Sequence, residues 1–370
     1  MKILMVQNID GVAGSERFLL NIIPELIKRG FDIEFLILKP RNSAGGGIEL
    51  FKETLLKFQI KVYTVNRSFF NLYKIKKIVE RNNFDLIHSH LIHADTFMAL
   101  VKWISKRKTI LISTKHGFDE KYMEEYGLNA NKRLNLFILI SKIVETQINK
   151  SITVSNGLQK LYEDLRIIPK FGFKTIYHGT FSKELPAKNI NWDKKIIFLI
   201  VGRLIPLKGH KDGINFFKKV NREISSELHI IGQGPLERDL KSFCESEGIS
   251  NFVKFHGFKN DLESYYRIVH FVIIPSKAEG FGLVAIEAFS FGLPVIAKNA
   301  PALNEIVKHE SNGLLVDFKN VEKDAENFLL FFRNQSNYLR CSKNAILEAN
   351  DKFSFNTMLN EIDKFYQEFK

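Results

Sequence analysis

Two glutamates, Glu279 and Glu287, flank a glycine-rich turn in Pro275-Ser-Lys-Ala-Glu-Gly-Phe-Gly-Leu-Val-Ala-Ile-Glu287. The stretch His270-Phe-Val-Ile-Ile-Pro275 before it is a short, partly β-branched apolar run closed by proline, the pattern of a buried strand. Leu283 to Phe291 after it has helix-forming composition. A glycine turn feeding a helix leaves backbone N–H groups at the positive helix end, a setting that suits a phosphate. Glu287, one turn into that helix, can accept from a pair of sugar hydroxyls, and Glu279 on the loop can face whatever lies beyond the phosphate. Anchor, phosphate cradle and loop acid follow one another as a bound sugar nucleotide requires.

A second segment supplies positive charge. In Ile196-Ile-Phe-Leu-Ile-Val-Gly202-Arg203-Leu-Ile-Pro-Leu-Lys208-Gly209-His210, Arg203 leaves the end of a buried strand and Lys208 follows just before a helix. Two fixed cations at the mouth of a sheet call for an anion, and a diphosphate leaving group is the natural one. Ile231-Gly-Gln-Gly234 makes another tight turn at a strand end, and Phe255-His-Gly257-Phe258 can wall a base pocket with the ring of Phe258. In the first half, Asp10-Gly-Val-Ala-Gly14-Ser-Glu16 is a glycine loop opening a helix, without the G-x-G-x-x-G spacing of a dinucleotide site. Thr114-Lys-His116-Gly can aim an imidazole or a carbonyl into a cleft, or simply form a turn. His88, His90 and His93 have no cysteine near them, and His88 and His90 point the same way on an extended chain, so no zinc is expected.

The elements that must position these residues alternate along the whole chain. Strands are expected at Lys2–Gln7, Asp32–Leu38, Lys61–Val65, Asp85–His88, Thr109–Thr114, Ser151–Val154 and Thr175–Tyr177. In the second half they are expected at Lys195–Val201, Glu227–Ile231, Phe252–Phe255, Phe271–Ile274, Pro294–Ala297 and Gly313–Val316. Helical patterns intervene, as at Ser15–Lys28 and Leu72–Arg81. Twice-repeated alternation predicts two doubly wound parallel sheets, an α/β architecture whose ligands bind at the carboxyl ends of the strands. The 370 residues divide naturally into two domains of about 180. The expected division is 1–180 plus an amphipathic tail, Ser354–Phe369, crossing back, and 181–353, with the polar Thr180–Asp193 as linker. Hydrophobic content of 45% with 33 Phe predicts cores packed largely by aromatic rings. Only Cys244 and Cys341 occur, which suits a reducing, cytosolic compartment. The N-terminus has the pattern of a first core strand rather than a signal peptide, and no apolar run reaches the length of a membrane span.

Taken in order, Val201-Gly-Arg-Leu…Lys208-Gly-His, Ile231-Gly-Gln-Gly-Pro-Leu, His256-Gly-Phe and Pro275-Ser…Glu279-Gly-Phe-Gly-Leu…Glu287 resemble the motif series of the retaining GT-B glycosyltransferases of family 4. Gly11–Gly14, Ile87-His-Ser-His90 and His116-Gly117 extend the resemblance to nearly the whole chain. It departs at Tyr177-His178-Gly179, where many members carry Asn-Gly. The resemblance implies a GT-B fold, two Rossmann-like domains facing across a cleft. It implies that Arg203 and Lys208 neutralise the departing diphosphate, Glu279 contacts the transferred sugar and Glu287 holds the ribose hydroxyls. Gly282, Leu283 and Val284 would offer backbone N–H groups to phosphate, Gly14 would close on the diphosphate from the other domain, and His116 would sit near the anomeric centre and acceptor. The donor implied is a UDP- or GDP-sugar, with no cofactor and no metal, and the sequence contains no Asp-x-Asp triplet. A sugar-nucleotide epimerase of related fold fits these motifs less well, and intact Arg203, Lys208, Glu279 and Glu287 argue against an inactive homologue that binds a nucleotide or an anionic polymer.

Charge points to the acceptor. The net charge is +13, and residues 1–180 hold 28 Lys and Arg against 17 Asp and Glu, while residues 181–370 hold 26 against 24. The basic segments Leu72-Tyr-Lys-Ile-Lys-Lys-Ile-Val-Glu-Arg81, with Lys74, Lys76 and Lys77, and Lys102-Trp103-Ile-Ser-Lys106-Arg107-Lys108 favour an anionic membrane surface. No nucleic-acid-reading module is present. The expectation is a cytoplasmic enzyme, peripheral on the inner face of the membrane, acting on a glycan or lipid-linked acceptor in bacterial surface-polysaccharide assembly.

Overall fold

The computed structural model describes residues 1–10, 14–40, 46–107, 109–128, 136–183 and 185–370. Its contacts divide the chain into two units: Met1–Phe118, Ala130–Tyr177 and Met358–Lys370 form the first, Asp119–Asn129 and His178–Thr357 the second.

The first unit contains β1 (Lys2–Asn8), β2 (Asp32–Lys39), β3 (Val62–Asn66), β4 (Leu86–His90), β5 (Ile110–Lys115), β6 (Lys150–Thr153) and β7 (Phe173–Thr175). They pair in parallel in the order β3-β2-β1-β4-β5-β6-β7, with Ile3 of β1 opposite Ile33 on one side and Leu86 on the other. The second unit contains β8 (Ile196–Val201), β9 (Ser226–Ile231), β10 (Val253–Phe255), β11 (Phe271–Ile274), β12 (Val295–Lys298) and β13 (Gly313–Val316), also parallel, in the order β10-β9-β8-β11-β12-β13. Every expected strand is present, with ends moved by two residues at most. Helices on both faces explain the uninterrupted apolar runs: Ile3 to Val6 are fully buried on either side of the pleat.

Aromatic packing dominates the second core. Phe271 of β11 lies 5.0 Å from Phe328, 4.8 Å from Phe332 and 5.2 Å from Tyr338, ring centre to ring centre. The helix Phe355–Gln367 begins in this unit, where Phe355 stacks on Phe181 at 4.4 Å. From Met358 onwards it belongs to the first unit. There Tyr366 is fully buried, 5.4 Å from Phe31, and its hydroxyl sits 2.6 Å from His88 Nδ1.

The polar stretch expected as a linker is instead a strap on the second unit, its Glu184 lying outside the described residues. Ile190 joins the core with Phe198. Lys188 Nζ donates to the carbonyls of Tyr266, Arg267 and Val269, and burial, then the Arg267 charge, lowers its pKa to about 8. One of the strap's polar side chains, that of Lys188, satisfies carbonyls of the second unit, which composition alone does not distinguish from solvation. Among the described residues no helix is long and apolar enough to cross a membrane.

Candidate functional site

In the second unit the candidate residues gather at the carboxyl ends of the neighbouring strands β8 and β11. Gly202 N donates to Ile231 O and Leu204 N to Gln233 O, both at 2.9 Å, so the turn after β9 fixes the one carrying Arg203. The chain then makes a short turn, Pro206–Lys208, and enters the helix His210–Glu223 through Gly209. Gly209 has φ 65°, and a Cβ there would collide with the carbonyl oxygen of Pro275. Only glycine lets this helix start close against the end of β11. Lys277 N, on the following loop, donates to Leu207 O at 2.9 Å.

These two contacts bring Lys208 to Glu279. Lys208 Nζ is 2.6 Å from Glu279 Oε1, and both side chains are partly buried. Below them His210 is buried, and that burial, followed by the Lys208 charge, pushes its pKa down to about 4. The imidazole is therefore neutral at physiological pH and adds no further positive charge.

Arg203 turns elsewhere. Its side chain is 65% exposed, and Nη2 lies 2.6 Å from Glu120 Oε1. Glu120 opens the helix Glu120–Tyr126, which Asp119 caps by accepting from Tyr122 N at 2.9 Å. Each cation expected to await an anion thus already has a carboxylate partner, and an entering anion must compete with it.

Glu287 sits one turn into the helix Leu283–Ser290, where its Oε2 accepts from Tyr266 Oη at 2.9 Å. Tyr266 is buried, its ring 5.2 Å from that of Phe291. Burial, then the Glu287 charge, holds its phenol pKa well above the usual value, so it remains a donor. The helix starts at Gly282, whose φ is 122°, and a Cβ there would press on Leu303 Cδ2 at 3.0 Å and Ile306 Cδ1 at 3.2 Å. Leu283 and Val284 carry the first N–H groups of the helix, which have no carbonyl a turn earlier to bond. Phe281 meets the ring of His178 edge-on at 5.4 Å, and burial takes the His178 pKa down to about 4. Phe258 follows β10 and is 55% exposed.

Gly14 and His116 belong to the first unit. Gly14 is exposed and opens the helix Gly14–Lys28; Gly11 of the same loop lies outside the described residues. Gln7 Nε2 donates to Glu16 Oε1 at 2.5 Å and to Ser15 Oγ at 2.9 Å, fixing that helix start to the end of β1. His116 follows β5, with Nε2 3.2 Å from His90 Nδ1 and its ring 5.2 Å from Phe18. Burial and the neighbouring His88 hold the His90 pKa well below the usual value, and His88, buried beside His116, is lowered to about 3.

Beside His116 lies a charged cluster that sequence reading missed. Lys115 Nζ is 2.7 Å from Asp95 Oδ2 and 2.8 Å from Glu145 Oε2, with all three side chains buried. Ser89 and Ser113 donate to Asp95 at 2.5 and 2.7 Å, and Ser151 donates to Glu145 at 2.7 Å. Burial alone would lower the Lys115 pKa, but Asp95 and Glu145 reverse this and hold it well above the usual lysine value. The available signal was a lysine ending the apolar run Ile110-Leu-Ile-Ser-Thr-Lys115. Glu120 and Tyr266 were also missed, and nothing local to either marks its partner.

Two parallel-sheet Rossmann-like units with glycine turns and charged side chains at their strand ends are the architecture of the GT-B fold. A solved structure of Anabaena HepE in complex with UDP-glucose matches with a TM-score of 0.80 at 20% identity, covering 100% of each chain. Residues 12–180 match the profile described as Glycosyltransferase Family 4, and residues 181–348 that described as Glycosyl transferases group 1. The chain belongs to this family, the group 1 glycosyltransferases of family 4. An uncharacterized glycosyltransferase of Haemophilus influenzae is 26% identical over 353 residues, 94% of each chain. The capsular polysaccharide biosynthesis glycosyltransferase CapH of Staphylococcus aureus is 24% identical over 239 residues, 63% of this chain and 65% of that protein.

Proposed function

We propose that the protein is a retaining hexosyltransferase that moves a sugar from a nucleotide-diphosphate sugar to a hydroxyl of a glycan or lipid-linked acceptor in bacterial surface-polysaccharide assembly. The observation that carries this reading is the 2.6 Å Lys208–Glu279 pair beside the N-terminal turn at Leu283. It sets a cation, helix N–H groups and a sugar-facing acid within one loop system, as separation of a diphosphate from a sugar requires. Glu287, oriented by Tyr266, would hold the ribose, and Phe258 would wall the base. Gly14 and His116 are assigned to the diphosphate and the acceptor side. Of the UDP- and GDP-sugars expected as donor, a UDP-sugar is supported by the HepE complex, and the polysaccharide role is supported by CapH.

In this reading the bond between the anomeric carbon and the phosphate oxygen breaks while the acceptor oxygen attacks from the same face. The acceptor's proton passes to the departing phosphate oxygen. Arg203 and Lys208 stabilise the charge that develops there. The test is a panel of sugar nucleotides offered to the purified protein, with release of the nucleoside diphosphate and the anomeric configuration of the product followed by NMR. One donor should be consumed with retention. Failure to turn over any donor, or recovery of an epimerised nucleotide sugar, would overturn the proposal.

Because two side-chain cations and a helix end meet the leaving group, transfer is expected to proceed without a metal. Initial rates measured with excess EDTA should match those with added Mg²⁺ or Mn²⁺. Strict dependence on either ion would contradict the assignment.

The same proposal has the protein bind the anionic inner face of the cytoplasmic membrane, a reading that the basic excess of residues 1–180 supports. Lys74 and Lys77 are exposed on the helix Leu72–Arg81, Lys106 is exposed beyond the helix Leu91–Ile104, and Lys108 lies outside the described residues.

A further inference from the structure

The helix Leu136–Glu145, Leu-Phe-Ile-Leu-Ile-Ser-Lys-Ile-Val-Glu, is apolar on nearly every side, yet only one side is covered. Ile138, Ser141, Val144 and Glu145 are buried. Leu136, Leu139, Ile140 and Ile143 are 72, 47, 41 and 61% exposed. Their spacing of three, four and seven residues puts them on one stripe. A contiguous stripe of four large aliphatic side chains in water marks a contact surface.

The surroundings of the stripe are basic. Lys142 lies on the helix itself, and Glu145 turns into the core onto Lys115. At the helix end, Lys102 Nζ donates to Gln147 O at 2.9 Å and Asn149 Oδ1 at 2.6 Å. Next to Lys102, Trp103 is 76% exposed. Lys170 N donates to Ile148 O at 3.0 Å, and after burial it is the Lys170 charge that lowers the Lys102 pKa, to about 8. An apolar stripe on a helix that carries Lys142 and ends near Lys102 and Lys170 matches the interface of an anionic bilayer, where aliphatic chains enter the acyl boundary and lysines meet headgroups. A second copy of the chain fits less well, because a two-fold contact through this face would set like charges against one another.

We propose that the helix Leu136–Glu145 inserts its Leu136–Ile143 stripe into an anionic lipid surface. This rests on the peripheral-membrane part of the proposed function and names the element that enters the bilayer. The test uses the full-length protein with vesicles of phosphatidylcholine alone or mixed with phosphatidylglycerol, in sedimentation assays across a salt series. The wild type should bind the anionic vesicles. The variant L136S/L139S/I140S/I143S should bind at least about tenfold more weakly, as loss of buried aliphatic groups requires. Its circular dichroism and its sugar-nucleotide turnover should be unchanged. Independently of affinity, the variant Leu139→Trp, made together with Trp103→Phe, should be quenched by brominated phosphatidylglycerol more than Trp103→Phe alone. Equal binding by the serine variant, with an unquenched Trp, overturns the insertion helix and leaves the membrane reading standing. No binding by the wild type overturns both. A dimer in light scattering that the serine variant abolishes overturns the lipid assignment in favour of a second copy.

Discussion

Replacing Lys208 or Arg203 by alanine should lower turnover of the sugar nucleotide by about 10²-fold or more, the usual cost of a charge contact made in a transition state. The two residues should differ in what else they disturb. Arg203 is exposed, and its partner Glu120 is half-exposed, so Arg203→Ala leaves the fold intact and its effect belongs to the reaction. Lys208→Ala also leaves Glu279 without its partner in a partly buried place, so a small fall in melting temperature should accompany the loss of rate. If the leaving group is stabilised as proposed, both variants lose kcat more than they raise KM, because the charge develops as the bond breaks. Steady-state kinetics on the donor found in the panel gives the answer. Wild-type-like rates in both variants would remove the diphosphate clamp from the mechanism.

The second large effect concerns stability. Lys115→Met should cost about 3–5 kcal/mol, because it strands two carboxylates in the interior. Asp95 and Glu145 are fully buried, and Lys115 is the cation that both contact. The serine hydroxyls around them satisfy lone pairs but carry no charge. The triple variant D95N/K115M/E145Q removes every charge and should recover much of the loss. Thermal unfolding followed with hydrogen exchange at β4 and β5 separates the first unit from the second, which a single melting curve for a two-unit chain does not. Unchanged protection of β5 in Lys115→Met would show that the cluster contributes nothing to the sheet.

How far the sequence could be read follows from the range over which each feature is encoded. Strands such as Phe271–Ile274 were legible because a parallel strand buried on both faces is a bare apolar run, and the turn Glu279-Gly-Phe-Gly282 was legible because its glycines and acid are adjacent. β7 begins at Phe173 rather than Thr175 because it is a short strand at the sheet edge, where the pattern is weakest. Side-chain pairing was not legible. Arg203 and Glu120 are separated by 83 positions, Glu287 and Tyr266 by 21, and Lys115 and Glu145 by 30. Type and spacing identified which residues carry charge at the strand ends, while the partners that hold them come from parts of the chain only folding brings near.

The bond between His88 Nδ1 and the Tyr366 hydroxyl spans 278 residues of sequence. On the ribosome that distance becomes a delay. At about 5–20 residues per second, the strands β1 to β7 emerge on the order of 10–60 s before Tyr366 is synthesised. Throughout that interval the nascent first unit has a sheet whose buried histidine lacks its phenol and whose Phe31 lacks the ring that covers it. The second unit, by contrast, is complete once Thr357 has emerged, so the half of the chain made first is the half that finishes last.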